Sequence, residues 1–288
     1  MRLIAFRILK THDGCKCIWH SIGNHKEVTN SPLTAPFHPY FVRAGVIYKG
    51  GCDKHFHLMA DVAANYRAIV ERVKQAAVST GRDPREIKIL AAAKAQDIKS
   101  IEAAILAGVL LIGENYVQEA SLKRKSLPDN VEWHMIGHLQ RNKAKAAVEI
   151  FDVIESLDNA ELARELDKEG RKRDVRVRAL IEINIGGEET KSGIAKPKVA
   201  ELLRTIGELD HLSIEGLMTV PPFRENSEAT RPYFRDLRRL RDELHSLKLP
   251  NVDLRELSMG MTHDYLVAVE EGATIVRIGT ALFGPRRT

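Results

Sequence analysis

Lys94 follows a strand-sized apolar run, residues 87–93, that ends in three alanines. A lysine at the end of a buried strand is partly desolvated, which favours its neutral amine. That amine is the form that attacks an aldehyde to give a Schiff base. Ala91, Ala92 and Ala93 leave room beside it for a flat aromatic group. The same spacing also suits a lysine that merely snorkels to the rim of a sheet. Two later segments have the chemistry of an anion site: Ser258-Met259-Gly260-Met261-Thr262 and Gly279-Thr280-Ala281-Leu282-Phe283-Gly284. Glycines let backbone N–H groups approach an anion, and Ser and Thr add hydroxyl donors. Both segments read equally well as turns in which Ser258 or Thr262 caps the next helix. The two uses are compatible, because a helix N-terminus attracts anions. The chain has no Walker-type loop and no dinucleotide fingerprint. Arg277 interrupts a mostly apolar run, 274–278, so an inward guanidinium there needs a partner. A structural ion pair accounts for it without any ligand. Asn115, His138 and Asn184 follow other apolar runs, where each either lines a pocket or satisfies loop backbone. Glu188, Glu189 and Lys191 read most simply as a solvated surface run.

The elements that must position these residues alternate regularly. A first helix covers roughly 60–80, with Val62, Tyr66, Ile69, Val70 and Val73 on one stripe and Gly81 as its C-cap. Apolar runs at 87–93, 110–112, 133–136, 153–154, 180–185, 214–218, 254–258 and 275–278 are eight candidate strands. Helix-period segments lie between them, near 97–107, 115–125, 140–149, 159–173, 196–208, 227–247 and 263–271. Alternating β and α units imply a parallel sheet with helices outside it. Eight units in about 230 residues match a closed (β/α)₈ TIM barrel, with a doubly wound open sheet as the alternative. In such a barrel, function gathers where strands end, and Lys94, Ser258, Arg277, Gly279 and Thr280 all stand at such ends.

Composition narrows the class. Of 288 residues, 44% are hydrophobic and 29% charged, which suits a globular protein and excludes a fibrous or disordered one. No run approaches the roughly 18 apolar residues of a membrane span, so no membrane contact and a cytoplasmic location are expected. Residues 1–58 hold eight Lys/Arg and three Asp/Glu, which accounts for the whole net charge of +5 and leaves 36 of each sign in 59–288. A basic groove for nucleic acid is therefore not expected on the barrel. The three cysteines, Cys15, Cys17 and Cys52, fit no common zinc spacing, and no metal is expected. Residues 1–58 show no sustained period and read as a disordered extension, or as a segment upstream of a true start at Met59, with the barrel in 59–288.

The motifs together resemble a known family. Ala92-Ala93-Lys94, Gly113-Glu114-Asn115-Tyr116-Val117-Gln118-Glu119 and Trp133-His134-Met135-Ile136-Gly137-His138-Leu139-Gln140 look like those of the pyridoxal 5′-phosphate (PLP) homeostasis protein family. So do Asn184 with Gly187-Glu188-Glu189-Thr190-Lys191-Ser192-Gly193-Ile194, then Gly216-Leu217-Met218, Leu257-Ser258-Met259-Gly260-Met261 and Val276-Arg277-Ile278-Gly279-Thr280. The resemblance covers essentially all of 59–288 and none of 1–58. It implies the alanine racemase N-terminal barrel, PLP fold type III, with PLP covalent to Lys94. It implies Ser258, Gly279 and Thr280 around the phosphate and Arg277 facing the pyridine nitrogen. Asn115, His138, Asn184 and Met218 complete the expected cofactor-binding set. Many relatives carry Ser before the lysine, where this chain has Ala93. A guanidinium stays protonated and donates to the ring nitrogen, which weakens the ring as an electron sink. Related alanine racemases add a β-rich domain and a partner tyrosine as opposing base, and this chain ends soon after the eighth strand. The resemblance thus implies a monomeric PLP carrier that passes its cofactor to apo PLP-dependent enzymes and has at most trace racemase activity. The competing expectations are a fold-type-III enzyme such as an amino-acid racemase, and a phosphate-sugar barrel without PLP.

Overall fold

The computed structural model describes residues 4–11, 14–21, 54–188 and 190–285, with side chains from residue 58 onward apart from Ala60. The chain divides into two compact units, Met1–His57 and Leu58–Thr288. In the first, β1 (Ile4–Thr11) pairs antiparallel with β2 (Gly14–Ser21), from Ile4↔Ser21 to Thr11↔Gly14. The sequence reading found no strand period there, and this pairing corrects it. Cys52 and the side chains of Cys15 and Cys17 lie outside the described set.

α1 (Lys54–Ser79) leads into the barrel, starting between one and two turns earlier than the apolar stripe suggests. In chain order there follow β3 (Lys88–Ala92), α2 (Ile98–Ala107), β4 (Leu111–Glu114), α3 (Val117–Arg124), β5 (Glu132–Met135) and α4 (Ala144–Ile150). Next come β6 (Val153–Leu157), α5 (Ala160–Arg173), β7 (Val177–Asn184), the short β8 (Ile194–Ala195) and α6 (Val199–Ile206). The chain continues through β9 (Leu212–Met218), α7 (Arg231–His245), β10 (Val252–Met261), α8 (Tyr265–Glu270), β11 (Ile275–Ile278) and α9 (Thr280–Phe283). Around the sheet the order is β6-β5-β4-β3-β11-β10-β9-β7, and a further β6–β7 pairing closes it into an eight-stranded parallel barrel. Helix starts are fixed by side-chain caps where the sequence offers them: Asp97 accepts from Ser100 N at 2.7 Å, and Asn159 from Leu162 N at 2.8 Å.

All eight apolar runs become barrel strands, but several strands extend past the apolar residues. β4 takes in Gly113 and Glu114, β6 reaches Leu157, and β10 carries Ser258 through Met261. The segments near 140–149, 196–208 and 227–247 each begin as a 3₁₀ turn before the α-helix. A hydrophobic criterion stops at the first polar residue. In a closed barrel an inward polar residue remains in the strand because other strands satisfy it.

Two cores result. One packs the outer strand faces against the helices, through residues such as Ile112, Trp133, Leu166, Leu203, Phe234 and Val276. The other is the barrel interior: Leu90, Leu111, Val153, Leu180, Met218 and Ile275, with Ile136 against them. Burying one such side chain contributes about 1.5–3 kcal/mol. Gly113 is required there, because a Cβ would sit 2.3 Å from Leu90 Cδ2 and 2.9 Å from Ile136 Cδ1. Among the described residues no helix is long and apolar enough to cross a membrane.

Candidate functional site

Residues two apart on a strand share a face, so the interior cluster fixes which rows point inward. Leu90 and Ala92 lead to Lys94; Leu111 and Gly113 lead to Asn115; Leu180 and Glu182 lead to Asn184; Ile275 and Arg277 lead to Gly279. The rows stack in layers. At the N-terminal end, Lys88 pairs with Glu256 at 2.6 Å, and Arg178 binds Glu132 and, at 2.7 Å, Glu215. The interior cluster lies above this floor. A buried polar layer follows, and the mouth is at the strands' C-terminal ends.

The polar layer is centred on Glu155, which is fully buried. Ser258 Oγ donates to Glu155 Oε2 at 2.5 Å and accepts from Arg277 Nη1 at 2.7 Å. Arg277 Nη2 donates to Thr219 O at 2.7 Å, and Nη1 lies 3.9 Å from Glu155 Oε2. The inward arginine is paired, as its place in an apolar strand required. On the other side His134 Nδ1 lies 2.6 Å from Glu155 Oε1, and Nε2 is 3.8 Å from Glu132 Oε2. Burial opposes a charge on His134, but Glu132 and Glu155 outweigh it and raise its pKa to about 9. Burial likewise works against ionised Glu155, yet His134, Arg277 and Ser258 hold its carboxyl below the usual range. Burial pulls the Arg277 guanidinium down from its ordinary value, against Glu155, Glu182 and Asp264. It remains a cation at any physiological pH.

Lys94 is half-buried at the mouth, two residues past β3. Its segment is held from outside the barrel. Lys123 Nζ on α3 donates to Ala93 O at 3.0 Å, Glu114 Oε1 at 2.6 Å and Glu119 Oε2 at 3.2 Å. Ala95 N donates to Glu119 Oε2 at 3.4 Å, and Ala95 is in the left-handed region at φ 59°. A non-glycine residue there is uncommon and persists only where the surroundings hold it. The last strand, β11, runs beside β3 with Arg277↔Leu90 and Ile278↔Ala91, so Gly279 comes alongside Ala92. A Cβ on Gly279 would meet only Ala92, at 3.8 and 3.9 Å. Gly260, at φ 88°, turns the end of β10, and a Cβ there would fall 2.4 Å from Ala268 Cβ.

The structure thus brings Lys94, Met218, Ser258, Arg277 and Gly279 to one interior. Met218 belongs to the apolar cluster, and Ser258 spends its hydroxyl on Glu155 and Arg277. Asn115 is half-buried and packs by its backbone against Gly137, where a Cβ would approach Asn115 O to 2.6 Å. Asn184 turns to its own loop, donating to Glu188 O at 2.8 Å and accepting from Glu188 N at 3.2 Å. His138 is exposed on the rim, 3.9 Å from Asp158. Thr280 is exposed at the start of α9. Thr262 does not cap the helix that follows it. Its hydroxyl accepts from Gly279 N and Ala281 N, both at 3.3 Å, while Asp264 accepts from Met261 N at 2.7 Å. Lys191 pairs with Glu188 at 2.6 Å, and Glu189 lies outside the described residues. Sequence reasoning missed Glu155, Glu182, His134 and Lys123. The signal for Glu182 was a carboxylate inside an apolar run at inward parity, as in Leu180-Ile181-Glu182.

A family model described as the alanine racemase N-terminal domain matches residues 60–287. The pyridoxal phosphate homeostasis protein of Aquifex aeolicus is 46% identical over 220 residues, covering 76% of this chain and 96% of that one. The structure of PipY of Synechococcus elongatus with PLP bound has a TM-score of 0.67 and 32% identity, covering 77% of this chain and all of that one. An alanine racemase of Clostridium difficile, at 13% identity and TM-score 0.64, shares the barrel over 80% of this chain and 58% of its own length. The first of these likenesses, at its identity and coverage, together with the matched barrel domain, places this chain in the pyridoxal phosphate homeostasis protein family.

Proposed function

We propose that the barrel binds PLP, anchored on Lys94, and serves PLP homeostasis as a carrier rather than as an enzyme. The observation that carries this reading is the convergence of Lys94, Arg277 and the Gly279 turn on adjacent strands, β3 and β11. The donor set fits the group. An amine suits its aldehyde, a buried guanidinium its ring nitrogen, and an open glycine turn its phosphate. PLP, when bound, supplies an aldehyde and an electron-withdrawing ring.

Lys94 would hold the group at its aldehyde through the Nζ amine. Small Ala91, Ala92 and Ala93 give the ring room. Gly279 lets the backbone approach the phosphate, with Thr280 beside it. Arg277 holds its charge against Glu155 and directs a donor into the interior; a ring nitrogen that accepts from it stays unprotonated. Ser258 acts from behind, fixing Arg277 against Glu155, and Met218 forms the apolar floor. Asn115, Asn184 and His138 order the loops at the mouth. Removing an α-proton requires a base within hydrogen-bond reach, and Lys94 serves one face of the ring. Residues 59–288 are sufficient for this activity, the protein works as a monomer in the cytoplasm, and apo PLP-dependent enzymes receive the cofactor.

Borohydride reduction of the protein after incubation with PLP, followed by peptide mass spectrometry, is the test. The adduct is expected on Lys94 and lost in Lys94→Ala, which still folds. An adduct on another lysine would falsify the anchor. Enantiomer analysis after incubation with L-alanine is expected to give trace conversion. Turnover on the order of 1–10³ per second would replace the carrier with a racemase.

A further inference from the structure

Glu182 takes part in none of the hydrogen bonds described so far. It stands on β7, four strands from β3 in either direction around the barrel, so it faces the Lys94 strand from the opposite wall. It lies on the inward row Leu180, Glu182, Asn184, level with Met218 and, through Met218, with Ser258. The residue is 7% exposed, and its Oε2 has no hydrogen-bond partner. The groups that face it come from each neighbouring wall. Asp158 beyond β6 and Glu155 on β6 oppose a negative charge there, and Arg277 on β11 favours one. From β9 its neighbours are Met218 and Thr219, which do not titrate, and the Thr219 hydroxyl is committed to Ile183 O at 2.8 Å.

An orphaned buried oxygen is costly, and in native proteins such an atom normally has a partner. Glu182 stands on an inward row of the barrel, within the influence of Arg277 and across from the strand that leads to Lys94. Burial first, and Asp158 second, lift its pKa to about 7. A carboxyl in its neutral form is a hydrogen-bond donor, whereas its ionised form is an acceptor alone. The interior therefore gains a donor at lower pH and a second buried carboxylate beside Glu155 at higher pH.

We propose that Glu182 reads the ligand: as a neutral carboxyl it donates to an acceptor atom on the ring of the aromatic aldehyde held at Lys94, and its ionisation loosens that ligand. This rests on the PLP reading above. It adds a second, titratable donor across the barrel from the anchor. A ring bearing an acceptor oxygen or nitrogen on that side is preferred over one without it. The pH at which the ligand is released then depends on Glu182.

The test is absorbance titration of the full chain with PLP between about pH 6 and pH 8.5, for wild type, Glu182→Gln and Glu182→Ala. Because ionisation beyond the midpoint removes the donor tenfold per pH unit, wild-type affinity relative to Glu182→Gln is expected to fall about tenfold from pH 6 to pH 8. Glu182→Gln keeps an uncharged donor and binds a few-fold more weakly at pH 6, without that decline. Glu182→Ala loses the donor and is weakest at pH 6. Parallel pH profiles for wild type and Glu182→Gln overturn the proposal. A second readout needs no ligand: the infrared difference between wild type and Glu182→Gln at pH 6 is expected to contain a neutral-carboxyl band that fades through about pH 7. Its absence at pH 6 also overturns the proposal. Failure of wild type to bind PLP at every pH overturns the carrier reading instead, and the infrared band still decides the Glu182 proton.

Discussion

The residues around Glu155 show how far one charged side chain can reach in a barrel. Arg277 neutralises Glu155, orients Ser258 and ties the backbone just past β9 at Thr219. Arg277→Met leaves Glu155 buried with His134 as its remaining charged partner. Breaking one side of a buried pair costs about 3–5 kcal/mol, and urea denaturation of the unliganded protein is expected to show a loss of that order. An unchanged midpoint would mean that Arg277 serves the ligand alone. The sequence pointed to Arg277 because a cation interrupts an apolar strand. It did not reveal Glu155, because the adjoining apolar run is two residues long and looked finished before the carboxylate. It left Asn184 open between two uses, and only the loop's path places its amide on Glu188.

At the scale of elements, the alternation of apolar runs and helical stripes carries nearly all of the barrel. Strand ends were harder to read, because closure lets polar residues continue a strand. The clamp on the Lys94 turn was not legible, since Glu114, Glu119 and Lys123 look like ordinary surface charges until α3 packs beside β4. Two substitutions probe this level. Lys123→Met leaves Glu114, which burial already pushes above the usual carboxylate range, without its cation. A loss of about 3–5 kcal/mol is expected, with slower reaction of Lys94 toward PLP as the Ala93–Ala95 turn loosens. Lys123→Arg is expected to restore part of both. Gly113→Ala forces its methyl onto Leu90 and Ile136; overpacking of this kind costs about 1–3 kcal/mol, readable as a fall in melting temperature with the visible cofactor spectrum retained.

For the molecule as a whole, the buried ionisable groups set a pH window. His134, with a pKa near 9, gives stability that is complete below its unfolded value near 6.5 and is lost as pH rises through 9. Glu182 is raised to about 7, so its neutral form is favoured in the fold, and stability declines as pH climbs from about 4.5 to 7. Glu132, lowered to about 2 by its contacts with His134 and Arg178 against burial, contributes above 4.5 and fails as pH falls toward 2. His134 and Glu132 shift each other, so their contact counts once; with Glu182 the shifts amount to several kcal/mol in order of magnitude. Chemical denaturation is expected to find greatest stability near pH 4.5, where the opposing Glu182 and Glu132 contributions balance, and a loss of several kcal/mol by pH 9. A profile flat from pH 5 to 9 would contradict the network. Removing residues 1–53, which ends before α1 begins at Lys54, is expected to leave PLP binding unchanged by absorbance titration.

Lys94 lies beyond the first strand of the barrel and Arg277 and Gly279 on or just after the last, and those two strands are neighbours. Proteins are made from the N-terminus onward, so a nascent chain displays its reactive amine long before the other half of the pocket exists. An aldehyde that met the lysine early would find no cation for its ring and no turn for its phosphate. Selective capture begins only when the seam closes. A ligand held as proposed would bridge that seam, linking the start of the barrel to its end like a clasp. Peeling away the final strand would then mean releasing the cargo first, so the loaded protein is expected to resist unravelling from its C-terminal side more than the empty one.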